Sequence, residues 1–552
     1  MQAAVGTAHV PHGHIHPPPD TFIKKYIFSQ DHKVIAVQYF ITSGLFFVLA
    51  GLLAEMMRAQ LASANNTLLS PQTYNEAYSV HGSAMVWLVI IPILTGAFGN
   101  LIMPLQIGAR DVAFPWLNMF SFWLFPPAGI LLFGSFIWGA PEAGWTEYPP
   151  ISLQQSFGTS MWCMAIFLIG VSSTITGLNF LVTIIKMRAP GMTWTRMPLF
   201  VWATAVTAFL SFIATANLSA ALLGLLIERT FGVPFYDPAK GGSPVLWQHI
   251  FWFYSHPAVY IMILPAFGIV SEILPTFCRR PIFGYKAIAY SSVAIGLVSF
   301  AVWAHHMFTS GLAPWVQLPF MIMTMIVGIP TGVKIFSWVA TLWGGNIRLT
   351  TPLYFVLGFL STFTFGGITG IMLASVPADV HEHATYFVVA HLHYVLFGGS
   401  VFGIFAGLYY WWPKMTGRML DETLGKIHFW LMFVSFNATF LPMHWIGLEG
   451  MPRRVSTYDP QYQDTNLFIT ISAFVLGASM LVFAYNAIKS TISGREAGQN
   501  PWGARTLEWM IPSPPPYYNF EDIPVVLSGP YDYGKPLPYR EIKGDLSYMP
   551  LV

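Results

Sequence analysis

Twelve stretches of predominantly apolar residues, centred near positions 45, 93, 127, 175, 212, 260, 296, 329, 363, 399, 438 and 478, run through this chain. Each is long enough for the about 20 residues that a membrane-spanning helix needs. A chain inside a bilayer must satisfy its backbone polar groups internally, so such runs fold as helices. Charged residues are 9% of the 552 residues, against about 25% in an ordinary soluble domain. The expected fold is an all-α integral membrane protein, a twelve-transmembrane-helix bundle. No domain boundary interrupts the stretches, so residues 31–490 are expected to form one twelve-helix unit, flanked by tails over 1–30 and 491–552. The N-terminal tail lacks a signal-peptide pattern. Its His9, His12, His14 and His16 stand among prolines, as expected of a disordered tail rather than a metal site.

An even number of spans puts both tails on one side, and the basic residues test that arrangement. The tail side collects Lys24, Lys25, Lys33, Arg110, Lys186, Arg188, Arg196, Arg279, Arg280, Lys286, Arg348, Lys414, Arg418, Lys426 and six more in the C-terminal tail. The other side holds only Arg58, Arg229, Lys240, Arg453 and Arg454. Positive charge accumulates on the cytoplasmic side, so both termini are expected there. Lys334 alone falls within a span, where a central lysine costs about 2.5 to 3.5 kcal/mol, and so must face protein or water. The two cysteines, Cys163 and Cys278, form no Cys-x-x-Cys pattern, which excludes c-type haem attachment and a thiolate-bridged copper site.

Ionisable side chains within spans mark function, and the histidines carry the most information. His391 and His393 are two apart, so on a helix turning about 100° per residue they leave on opposite sides. One helix then serves two sites. Imidazole is a common metal and axial haem ligand, and the economical reading is two haems flanking the tenth span. His81, on the second span, supplies the second axial ligand to one; the other keeps an open position. His256 and Tyr260 are four apart and share a helix face, while His305 and His306 offer two further imidazoles from the seventh span. Three nitrogens from two helices suit copper. A redox metal facing an open haem position binds and splits a diatomic molecule, and a phenol such as Tyr260 is a source of the last electron that dioxygen requires.

At these residues the sequence resembles subunit I of the haem-copper oxygen reductases, the cytochrome c oxidase subunit I type. The likeness runs through Trp247-Gln-His-Ile-Phe-Trp-Phe, Trp303-Ala-His-His-Met-Phe-Thr, Ile329-Pro-Thr-Gly-Val-Lys-Ile-Phe-Ser-Trp, Val388-Val-Ala-His-Leu-His-Tyr, Gly450-Met-Pro-Arg-Arg and Gly144-Trp-Thr-Glu-Tyr-Pro-Pro, and covers roughly residues 25 to 520. It implies His81 and His393 on a low-spin haem, His391 on a high-spin haem, and His256, His305 and His306 on the copper ion CuB, with Tyr260 joined covalently to His256. It further implies that Arg58 lies beside the low-spin haem and that Arg453, Arg454 and Trp145 belong to the haem-binding region. Guanidinium forks suit the propionate carboxylates that Arg453 and Arg454 would hold. Haem A is the expected type.

Proton delivery follows the same resemblance. Lys334, Thr331 and Ser271 resemble the family's lysine pathway. Asp111, Asn100 and Asn118 resemble the mouth of the second pathway, with Ser172 and Ser173 in its interior. The chain departs from the commonest pattern at Ala258, where a glutamate usually follows His-Pro. It resembles instead the A-type branch with a Tyr-Ser pair, so Tyr254 and Ser255 are expected in the relay, with proton pumping retained.

Peripheral features are thinner. The family's His-Asp magnesium pair is His383-Ala384 here, with Asp379 nearby, and hard magnesium wants several oxygens. The acid of a sodium or calcium site is Gln60, so no such site is expected. The positions that hold quinol-binding polar groups in ubiquinol oxidases are Leu49, Leu53, Thr73 and Glu76, which favours a cytochrome c, or a cytochrome c domain, as electron donor. Because this chain lacks the cysteines for an electron-accepting CuA centre, subunit II must carry it. The resemblance also implies subunit III and other oxidase subunits, O2 as substrate, lipid contact, no nucleic-acid partner, and a bacterial inner-membrane location. The rival readings are a quinol oxidase of the same family, a nitric oxide reductase, and a twelve-helix secondary transporter.

Overall fold

The computed structural model describes residues 18–533, 535, 540–541 and 548–549; the four tail histidines, His9 to His16, lie outside the described residues. Twelve apolar helices occur in the expected order: α1 His32–Gln60, α2 Pro71–Gln106, α3 Pro115–Trp138, α4 Phe157–Lys186, α5 Leu199–Phe231, α6 Pro244–Cys278, α7 Tyr285–Ala301, α8 Pro314–Leu342, α9 Thr351–Ala374, α10 Tyr386–Thr416, α11 Glu422–Leu448 and α12 Pro460–Ser493. Eleven are long enough to cross a membrane; α7 is shorter. Its helix changes to 3-10 geometry over Ser299–Ala301 and again over Trp303–Met307, which carries His305 and His306. The only strands among the described residues are the two-residue antiparallel pair Arg540–Glu541 and Tyr548–Met549.

Local chemistry sets the helix ends. Asp31 accepts from the Lys33 N–H at the start of α1, Ser70 from Thr73 at α2, and Asp421 from Thr423 and Leu424 at α11. Each supplies an acceptor to a first-turn N–H that has no partner within the helix. Two helices carry wider, π-helical turns close to histidines: α2 over Met85–Ile90 and Pro92–Gly99, after His81, and α10 over Leu396–Val401, after His393. Such turns recur at functional sites because they rotate the following side chains off the regular helical register.

Helices α2 and α6 are central, 89% of their apolar windows being buried, whereas α8 buries 6% and turns its apolar face outward. The C-terminal segment folds back onto the bundle as a cover. Trp509 is buried, Trp502 donates to Tyr410 O (2.8 Å), and Glu508 accepts from Gln106 (3.0 Å) and Trp411 (3.2 Å). This cover closes the end of α2 and α10 on the side of the tails.

Candidate redox-metal centre

The histidines converge on one cavity. His256 comes from the middle of α6, and its partners His305 and His306 come from the 3-10 turn after α7. Consecutive residues there point about 120° apart, yet both rings reach the same place: centroids lie 4.6 Å (His256 to His305) and 4.1 Å (His305 to His306) apart. One nitrogen from each ring lies within 4.8 Å of the others, the only such group of three among the described residues. His256 Nδ1 faces His306 Nε2 at 3.3 Å, His305 Nδ1 is held by Thr324 of α8 (3.0 Å), and His256 Nε2 is buried without a partner. The Tyr260 ring is one turn along the same face, 4.8 Å from His256.

On α10 the two histidines leave on opposite sides, as the spacing requires. His391 reaches toward α9, where its Nδ1 meets Gly366 O and Thr369 Oγ1, each at 3.0 Å. The approach is so close that a Cβ at Gly370 would stand 3.0 Å from the His391 ring. His393 stacks on Phe440 of α11 (4.1 Å, 12° between planes) and lies within electrostatic reach of His81. His393 Nδ1 bonds Val389 O and His81 Nδ1 bonds Ala50 O, both at 2.8 Å. In all three rings the Nδ1 proton is given to a carbonyl, which leaves the lone pair on Nε2, as is usual in imidazoles that ligate a metal.

The six histidines and Tyr260 all line a cavity of about 1890 Å³, roughly twice the upper end of an ordinary ligand pocket. The rim opposite the tails is basic. Arg58 donates to Asn466 O (2.9 Å) and Thr470 Oγ1 (2.9 Å), while its Nε and Nη1 are buried without partners. Arg454 lies flat on Gly144, where a Cβ would come within 2.5 Å of the guanidinium carbon, and Arg453 lines the cavity beside it. Burial, reinforced by the Arg454 charge, pulls Arg453 down to about 10. Trp145 packs edge-on to Trp252 and Phe251 at the same rim.

The polar residues named from the sequence are partly gathered. Lys334 is buried and donates to Ile288 O (2.8 Å) and Ser292 Oγ (2.6 Å) on α7. Thr331 lines the cavity but bonds back to Val327 O, and Ser271 accepts from Trp338 (3.0 Å), one turn beyond Lys334. Asn118 donates to Asn100 (2.7 Å). Ser172 and Ser173 line a second cavity of about 30 Å³, room for about two waters. Tyr39 and Thr176 line it too, and Ser121 lies beside the Tyr39 hydroxyl. Asp111 is spent on the Val112 N–H (2.7 Å) rather than on either asparagine. Tyr254 accepts from Trp87 Nε1 at 3.4 Å, while Ser255 Oγ is buried and unpartnered. His383 and Asp379 pair with each other (3.0 Å). Gln60 is satisfied entirely by backbone, at Asn66 O, Ser456 O and Leu69 N.

An all-helical membrane bundle with imidazole nitrogens turned into one large cavity belongs to the class of membrane redox-metal proteins. The comparisons with known proteins give the particular family. The profile described as "Cytochrome C and Quinol oxidase polypeptide I" matches residues 34–499, and the chain belongs to that family. It is 54% identical to cytochrome c oxidase subunit 1 of Thermostichus vulcanus, with 94% of each chain covered, and 48% identical to that of Bacillus subtilis, over 91% of this chain and 81% of the relative. Among solved structures it is similar in fold to a heme-copper terminal oxidase determined by cryo-EM, with TM-score 0.72 and 19% identity over 84% of each chain.

Proposed function

We infer that this chain is the catalytic subunit of a haem-copper terminal oxidase, reducing dioxygen to water with electrons from a cytochrome c. Family membership with cytochrome c oxidase relatives at about half identity over nearly the whole chain supports the activity. The observation that carries the site is the convergence of ring nitrogens: three imidazoles within 4.8 Å of one another, and three more rings with Nδ1 tied to carbonyls, all facing one cavity.

The residues fit the groups the family implies. His256, His305 and His306 would hold CuB, His391 the high-spin haem, and His81 with His393 the low-spin haem, of the A type. When bound, these groups supply electron transfer and the redox chemistry of oxygen. The protein's own part is orientation and protons. Thr324, Gly366, Val389 and Ala50 fix the ring tautomers. Arg453 and Arg454 receive carboxylates at the rim, and the unpartnered Nε and Nη1 of Arg58 receive a polar substituent. Tyr260, one turn from His256, supplies a phenolic proton and electron, and its covalent link to His256 is sterically open because His256 Nε2 has no other partner.

Protons reach this interior by two routes. Lys334, with Thr331 and Ser271, serves one; Asp111, Asn118, Asn100, Ser172 and Ser173 serve the other. Tyr254 and Ser255 stand in for the missing glutamate at Ala258, so proton pumping is retained. Magnesium is poorly supplied by this chain alone: His383 and Asp379 give one nitrogen and one carboxylate, and Ala384 gives nothing, so a magnesium ion takes its remaining ligands from another subunit. Subunit II with a CuA centre and subunit III complete the complex. The unit 31–490 is catalytic, its tails on the cytoplasmic side of the bacterial cell membrane.

Oxygen consumption by the purified complex, driven in turn by reduced cytochrome c and by a quinol, tests this reading. Turnover with cytochrome c is expected; turnover with quinol alone would replace the donor, and no oxygen uptake with either would overturn the activity.

A further inference from the structure

One buried carboxyl at the rim has no part in the scheme above. Glu147, in the α3–α4 connection on the side opposite the tails, is fully buried and adopts a left-handed backbone (φ 40) that a side-chain-bearing residue rarely takes. No ion pair neutralises it among the described residues. Its Oε1 accepts from Ala143 N (2.9 Å), and the carbonyl of that same Ala143 accepts from Arg454 Nη1 (3.1 Å). One residue of backbone therefore connects the carboxyl to a guanidinium that borders the cavity. The flanking residues tie the same loop to the metal-binding histidines: Tyr148 accepts from Trp252, which stacks on His306.

The second partner of Glu147 suits either protonation state. The Gln155 side-chain amide places one polar atom 2.9 Å from Glu147 Oε2 and 2.6 Å from Thr159 Oγ1. With its nitrogen turned inward the amide donates to a carboxylate; with its oxygen inward it accepts from a carboxylic acid. We propose that Glu147 is a proton-storing group of the oxidase, binding a proton when the centre in the cavity is reduced and releasing it to the side opposite the tails on re-oxidation. This rests on the reading of Arg454 as a holder of haem carboxylates. Added negative charge in the cavity offsets the Arg454 field that otherwise favours the carboxylate. An O–H bond then forms on Glu147 with a proton that has come from the tail side by the routes proposed above, leaving its carrier water. On re-oxidation that O–H bond breaks and the proton passes to water on the side opposite the tails.

The groups that face the carboxyl are Arg454 from the α11–α12 connection, Arg229 from α5, Tyr78 from α2, Cys163 from α4 and Glu142 from its own loop. Burial, the largest influence, raises Glu147 to about 8, close enough to neutral pH for a modest change of field to move its proton.

Reduced-minus-oxidised infrared spectra of the purified complex test this, recorded beside the visible difference spectrum. A carboxyl C=O band that shifts in heavy water is expected, is lost in Glu147→Gln, and changes frequency in Gln155→Met, which leaves the carboxyl in place. In vesicles, Glu147→Gln is expected to release fewer protons per electron with its haem spectrum intact. An unchanged band and unchanged proton release in Glu147→Gln overturn the proposal. If Glu147→Gln does not assemble, a carboxyl band indifferent to Gln155→Met overturns it. Absence of any haem spectrum in the native protein overturns the cofactor reading instead.

Discussion

Trp252 lies flat against His306, with ring centroids 3.8 Å apart and planes 15° from parallel. The indole is itself held by its N–H bond to the Tyr148 hydroxyl and by edge contacts with Trp145 and Phe251. His306 sits on a short 3-10 turn, so its orientation depends on this stack more than on helix geometry. Outer-shell supports of this kind are worth about 10- to 100-fold in metal affinity. Trp252→Ala is expected to lower copper content relative to iron, whereas Trp252→Phe, which keeps an aromatic face, retains most of it. Metal analysis of the two variants checks this, and equal copper in both would contradict it.

Lys334 is buried at 1% exposure with two polar contacts, Ile288 O and Ser292 Oγ. A lysine left there at the cost of desolvation has to move protons or hold a structure. Lys334→Met is expected to slow turnover by about 100-fold, in the range for losing a positioned proton-transfer group, with the visible spectrum unchanged. Ser292→Ala should slow it less. Full turnover in Lys334→Met would remove the lysine from the pathway.

Burial holds the Asp111 carboxyl up at about 8 instead of the ordinary 3.8; the Val112 N–H and Lys33 pull it down, and Asp31 pushes it up. Between those two values the native state binds more protons than the unfolded chain. Its contribution to stability is therefore full in acid and is lost as pH rises toward about 8. Asp111→Asn is expected to flatten that decline in the thermal unfolding midpoint of the detergent-solubilised protein. A decline equally steep in the variant would show that Asp111 is not the titrating group.

Tyr254 occupies the place next to the missing glutamate, and its hydroxyl has one weak partner, Trp87 at 3.4 Å. A phenol so loosely bound is free to exchange its hydrogen bonds with passing water. Tyr254→Phe is expected to reduce both turnover and protons released per electron in vesicles. Unchanged stoichiometry would take Tyr254 out of the relay.

Much of this architecture was legible in the residues. Hydropathy located all twelve helices, because a span must be apolar throughout, and the His-x-His spacing on α10 foretold two separate faces. Four features were not legible. The 3-10 break in α7 leaves no hydropathy mark, so that span was expected to be as long as the others. Trp252 reads as one more core aromatic in a chain that is 16% aromatic, and nothing in sequence says which aromatic meets His306. Ser292, Ser121 and Thr176 are hydroxyls on helices, and such residues usually bond their own preceding turn; only three-dimensional packing puts them beside Lys334 and Ser172. The packing of Trp502, Trp509, Phe520 and Tyr531 against the bundle was likewise hidden, because these aromatic residues are spaced too irregularly to announce a packed face.

The most direct test of the account is the cofactor content of the purified chain in its complex, measured by pyridine haemochrome spectroscopy with copper quantification before and after His256→Ala. Two haems and the CuB copper are expected in the native protein, with that copper alone lost in the variant. Iron without copper in the native protein, or copper unaffected by His256→Ala once the CuA contribution is subtracted, would contradict it.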